Sequence, residues 1–145
     1  MKGSANKWMQ HIPEGVQDSL PDECYNQRII EGKLRKIFHL SGYDEIDTPL
    51  FEYLDLFEGE TASLEQEQMY KFFEPGSRIM VLRPDMTMPI ARIAATKMKN
   101  RPLPLRLSYI GSVYRYEGKR QTRQREIAQA GIELLGFRRP EADAE

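Results

Sequence analysis

The sequence predicts an α+β fold, and three observations carry that prediction. Near the N-terminus, apolar residues recur at helical spacing from Tyr25 to Phe38. In the middle, two short β-like runs flank a Pro-Gly turn. Toward the C-terminus, two long β-like segments are joined by the six polar residues Gly118 to Arg123. So short a connection makes them an antiparallel pair, because a parallel crossover needs a dozen residues or more.

The elements follow in order. Ser19-Leu20-Pro21-Asp22 reads as a helix start, with Ser19 as cap. Tyr25, Ile29, Ile30, Leu34, Ile37 and Phe38 then form one apolar stripe, and Gly42 is placed to end the helix in a left-handed turn. Asp44 to Thr48 is extended, since the residue before Pro49 avoids the helical region. Met69 to Phe73 and Arg78 to Leu82 form a hairpin over Glu74-Pro75-Gly76-Ser77. Pro84 closes the second strand, and Asp85 or Thr87 caps a helix running to about Lys99 with Ile90, Ile93, Ala94 and Met98 inward. Leu105 to Glu117 and Gln124 to Leu135 are the long strand pair. Glu141 to Glu145 reads as the opening turn of another helix, which suggests a fragment.

Composition narrows the function classes. The 145 residues suffice for one domain with a core, and 21 Lys plus Arg against 22 Asp plus Glu leave a net charge of −1. That balance argues against autonomous nucleic-acid binding. The lone Cys24 excludes an internal disulfide and reads as a small buried hydrophobe, while His11 and His39 stand apart without partner ligands. No apolar run approaches the roughly 20 residues of a membrane span, and the first ten residues hold no apolar signal core. The expected location is the cytoplasm.

Alternation sorts the last strand into two faces. Ala128, Ala130, Ile132 and Leu134 make an apolar face that should pack on helices. Arg125, Gln129, Gly131 and Glu133 make the other, where Gly131 leaves room for a small molecule against the backbone. If Arg115 and Glu117 share that face, the surface suits a zwitterion with phosphate nearby: carboxylate and amide oxygens for an ammonium, arginine for phosphate. The alternative is a solvated strand face with ordinary cross-strand ion pairs. Asp85 and Thr87 carry the same choice between helix cap and ligand contact.

Several motifs together resemble a known family. Gly42-Tyr43-Asp44-Glu45-Ile46-Asp47-Thr48-Pro49 with Phe51-Glu52 is similar to motif 1 of class II aminoacyl-tRNA synthetases. Tyr114-Arg115-Tyr116-Glu117, a loop, and Gln129-Ala130-Gly131-Ile132-Glu133 look like motif 2 in its histidyl form. Histidyl-tRNA synthetases typically read Arg-Pro-Glu-Gly-Thr where this chain has Arg83-Pro84-Asp85-Met86-Thr87. That variant, with Pro89-Ile90-Ala91-Arg92, resembles the ATP phosphoribosyltransferase regulatory subunit, a histidyl-tRNA synthetase-like paralogue.

The resemblance implies a class II synthetase-like antiparallel sheet flanked by helices, truncated, in which residues 1–145 are the N-terminal part of the core domain. Motifs 1 and 2 are present and motif 3 is absent. It further implies a non-catalytic subunit, without cofactor, dimerised through motif 1 and assembled with the short-form catalytic ATP phosphoribosyltransferase. That complex performs the first step of histidine biosynthesis under feedback by histidine. Carried over by position, Asp85, Thr87 and Gln129 would hold the histidine ammonium, Glu133 would face the imidazole, and Arg115 would meet carboxylate or phosphate, with Arg123 a second phosphate contact. Departures are the shorter Asp85, Met86 in place of a glycine that admits close ligand approach, and Thr122 where glycine is common. Two alternatives stay open: the front half of a true histidyl-tRNA synthetase, and a folding or dimerising fragment that binds nothing.

Overall fold

The computed structural model describes residues 11–58, 66–76, 78–116 and 124–137. Helix α1 (Pro21–Leu40) opens the fold. Its start lies one residue later than Ser19 predicts. Leu20 occupies the cap position, Pro21 takes the first helical position where a missing N–H costs nothing, and the Glu23 carboxylate accepts from the Leu20 N–H at 2.9 Å. The end is as expected. Gly42 sits at φ +78°, Tyr43 N–H donates to Phe38 O at 2.9 Å, and Gly42 N–H donates to His39 O at 3.0 Å, which is a Schellman closure.

Two sheets follow. Strand β1 (Asp44–Glu45) runs parallel to β5 (Leu105–Tyr114), and β5 pairs antiparallel with β6 (Glu126–Leu135) from Leu105↔Leu135 to Tyr114↔Glu126. The long antiparallel pair is therefore as predicted, with one parallel edge added. The smaller sheet has β2 (Phe51–Tyr53) and β3 (Lys71–Phe73) on either side of β4 (Ile79–Leu82), all antiparallel. The β3–β4 hairpin turns at Gly76, whose φ of +128° only glycine adopts readily. Helix α2 (Thr87–Thr96) joins the sheets and ends three residues short of the predicted Lys99.

Each sheet has a core. Met86, Ile90, Leu105, Leu107, Tyr109 and Val113 are buried together under α2, with Ile46, Ala94 and Met98 against them. Leu54, Phe57, Met69 and Val81 form the second cluster, which Met88 of the same helix packs against. An ion pair between Arg92 and Glu52 ties α2 to β2.

Three expectations about burial fail for one reason. Of the α1 stripe, Leu34 and Phe38 are half-buried, but Tyr25, Ile29, Ile30 and Ile37 are exposed. Cys24 is exposed, not buried. Ala128, Ala130 and Ile132 of β6, predicted to pack on helices, face outward. Helix α1 docks chiefly on the two-residue β1 and α2 covers the opposite face, so the side of β6 bearing Ala128 is met only across an open cavity that Gln27 of α1 also lines. The predicted helical turn at Glu141 to Glu145 lies outside the described residues.

Candidate functional site

The register of β5 and β6 assembles the site. Leu107 pairs with Glu133, Tyr109 with Gly131 and Gly111 with Gln129. Gln129 and Glu133 therefore share the face that Leu107, Tyr109 and Val113 present to the core and to α2. The polar face of β6 is the covered one, and its apolar face is the open one. That inversion of ordinary burial makes this face the candidate site.

The segment from β4 to α2 brings the remaining residues in. Pro84 has no N–H to extend the ladder, so the chain leaves the sheet there. Its carbonyl accepts from Arg115 Nε at 2.7 Å, which fixes the guanidinium beside this turn. Asp85 Oδ1 accepts from the Met88 N–H at 3.1 Å and caps α2. Thr87, in the first turn, donates its hydroxyl to Glu133 Oε1 at 2.7 Å, so the helix start is bonded directly to β6. A carboxylate only accepts, so the Thr87 oxygen keeps its lone pairs for a donor approaching from outside. Gln129 Oε1 is buried with no hydrogen-bond partner.

Tyr109 completes the cluster, and the sequence reading missed it. Its ring lies across Gly131, where an added Cβ would stand 2.5 Å from the phenol oxygen. The space attributed to a ligand at Gly131 is thus filled by Tyr109. An aromatic paired opposite a glycine in an antiparallel ladder was the available signal. Burial pushes the Tyr109 hydroxyl up from its ordinary pKa, the Glu133 and Asp85 carboxylates push it further, and Arg115 partly offsets them. Those three charged groups therefore act on one point.

Met86 also departs from expectation. Its side chain is fully buried against β5 rather than facing a ligand, and Thr48 Oγ1 lies 3.9 Å from its sulfur. It does not narrow the site. Of the expected residues, Asp85, Thr87, Arg115 and Glu133 meet around Tyr109, and Gln129 lies on the same face of β6; Glu117 and Arg123 lie outside the described residues. Among those described, no cluster of three metal-ligating side chains occurs, and no helix is long and apolar enough to cross a membrane. A cavity of about 640 Å³ opens on the rear of the sheet, between Gly15, Gln27, Ser112 and Ala128, and none of these five site residues lines it.

What the cluster can do follows from its donors and acceptors. Asp85, the Thr87 lone pairs, Gln129 Oε1 and Glu133 are acceptors, and the Arg115 guanidinium is held at the turn that carries Asp85. Such a set suits a small molecule with an ammonium, a second N–H-bearing group and a carboxylate.

Comparison with known proteins agrees with this architecture. The histidyl-tRNA synthetase family model matches residues 15–145. An ATP phosphoribosyltransferase regulatory subunit of Acetivibrio thermocellus is 49% identical over 139 residues, covering 96% of this chain and 33% of the relative. Another, of Ruminiclostridium cellulolyticum, is 48% identical over 140 residues, with coverage of 97% and 33%. The chain thus spans about a third of the length of the curated relatives it matches. Among solved structures, a protein of Bacillus halodurans described as an ATP phosphoribosyltransferase regulatory subunit/histidyl-tRNA synthetase superposes with a TM-score of 0.84 at 37% identity, over 93% of this chain and 35% of that one. The apo histidyl-tRNA synthetase of S. aureus gives 0.76 at 35% identity, over 92% and 35%. With a family match over residues 15–145 and relatives 48–49% identical across nearly all of it, this chain belongs to the histidyl-tRNA synthetase family.

Proposed function

We propose that the protein carrying this chain is a non-catalytic regulatory subunit of ATP phosphoribosyltransferase that binds histidine as feedback effector. The observation that carries the reading is the acceptor set on one face: Gln129 Oε1 buried and unpartnered, and, on the far side of Gly131, a Thr87 hydroxyl whose proton is committed to Glu133. A buried amide oxygen without a partner is costly, and an incoming ammonium or imidazole N–H removes that cost. Histidine fits in full. Its ammonium goes to Asp85, Thr87 and Gln129, its imidazole toward Glu133, and its carboxylate to Arg115. The names of the relatives support the regulatory role.

The partners follow from the same reading: the short-form catalytic subunit, and a second copy of this protein. The location is the cytoplasm.

One observation favours a second reading, the front half of a true histidyl-tRNA synthetase. Arg115 is held by the Pro84 carbonyl in position to meet an acyl phosphate as well as a carboxylate. Two assays on the protein at its native length separate the readings. Calorimetric titration should show histidine binding, and histidine-dependent ATP–pyrophosphate exchange should be absent. Measurable exchange establishes the synthetase, and no histidine binding removes both.

A further inference from the structure

Arg83 is one of four buried polar or charged residues among those described, at 6% exposure, and its side-chain hydrogen bonds go to Ser112 and Thr48 rather than to an expected ligand contact. Its backbone is shared between the two sheets. The Arg83 N–H donates to Leu50 O at 2.9 Å ahead of β2, and its carbonyl accepts from the Tyr114 N–H at 3.0 Å at the end of β5. The side chain reaches three more places. Nε donates to Ser112 O at 2.8 Å, and Nη1 donates to Thr48 O at 2.5 Å and to Thr48 Oγ1 at 3.1 Å, with Asp47 Oδ1 at 3.6 Å. Gly111 makes the room: a Cβ there would stand 2.6 Å from Nη2.

From Arg83 the chain runs without a break into the site. Pro84 holds Arg115, Asp85 caps α2, and Thr87 is bonded to Glu133. We infer that Arg83 is a positioning residue for the ligand segment, fixing residues 84–87 against the 47–48 connector and β5 so that Asp85, Thr87 and Arg115 converge. The planar guanidinium matters because it serves acceptors in several directions at once. A lysine carries its donors on one nitrogen at the end of a flexible stem and cannot hold the Ser112 and Thr48 carbonyls at the two fixed positions that Nε and Nη1 occupy.

This inference rests on the proposed histidine site, and the test separates the two. Histidine is titrated into the native-length protein as wild type, Arg83→Lys, Thr87→Val and the double variant, with thermal melts confirming that each is folded. The expected result is about tenfold weaker binding for Arg83→Lys alone, but only about twofold further loss when Thr87→Val is already present. Non-additivity of that kind requires that Arg83 act through the segment bearing Thr87; a residue that only stabilises the fold gives equal losses in both backgrounds. Equal losses, or none, overturn the inference while leaving the histidine site intact. Absence of binding by the wild type overturns the site itself and the inference with it. Should Arg83→Lys fail to fold, Thr48→Val, which removes only the hydroxyl acceptor, takes its place in the cycle with an expected threefold loss or so.

Discussion

Thr87 shows how one hydroxyl can set the polarity of a site. Its proton goes to Glu133 Oε1 at 2.7 Å, so toward a ligand it is an acceptor alone. Thr87→Val keeps the shape and removes that acceptor. Loss of a hydrogen bond to a charged ammonium should cost about 2 kcal/mol, or roughly thirtyfold in histidine affinity. Thr87→Ser should restore most of it. Stability should hardly move in either case, because Thr87 is exposed and its bond to Glu133 competes with water. Calorimetric titration beside thermal melts checks both statements, and a Thr87→Val protein that binds as tightly as wild type would remove Thr87 from the site. At this scale the sequence was informative about polar residues and offered Tyr109 only through its register. Asp85, Thr87, Gln129 and Glu133 declare themselves by standing where polar groups are out of place. Tyr109 looks like any strand aromatic until its register against Gly131 is known.

At the scale of elements, periodicity located the helices and the strand pairs but could not say which side of a strand is covered. Ala128, Ala130 and Ile132 form the more apolar face of β6, yet α2 lies over the face of Gln129 and Glu133. The covering is decided by where the connection from β4 places α2, which no local pattern encodes. Helix α1 carries a testable consequence of a similar kind. Glu31, buried on the flank toward β1, receives Gln27 Nε2 at 2.8 Å, Arg28 at 2.8 Å and Arg35 at 3.4 Å, and Arg35 reaches on to Glu45 of β1 at 2.9 Å. Burial alone would raise the Glu31 pKa, but the bonds from Gln27, Arg28 and Arg35 outweigh it and the net shift is downward. A carboxylate with a depressed folded pKa contributes stability above its unfolded pKa, about 4.3, and loses it as pH falls through the folded value. Glu31→Gln should therefore melt lower than wild type at pH 7, by about 1 kcal/mol. The difference should shrink below about pH 4. Melts followed by circular dichroism from pH 7 to 3 test this, and a difference independent of pH would deny the ion cluster its role.

For the whole molecule, the exposed apolar surface is the feature left without a partner among the described residues. Tyr25 is 68% exposed, Ile30 59% and Ile37 56%, all on a helix whose other flank is docked on β1. Exposed apolar groups spaced along one helix are more than the scattered singles that any surface carries. The second copy named in the proposed function is the occupant we expect. Burying an isoleucine side chain in full is worth about 1.5–3 kcal/mol, so two on each of two copies supply several kcal/mol toward association. Ile30→Asp with Ile37→Asp removes that and places like charges across a two-fold interface. Sedimentation velocity on the native-length protein should show a dimer or larger assembly for wild type and a shift toward monomer for the double variant. The variant should stay folded, because neither side chain contributes to the two buried clusters. If the double variant sediments with wild type, this face of α1 is not the dimer contact.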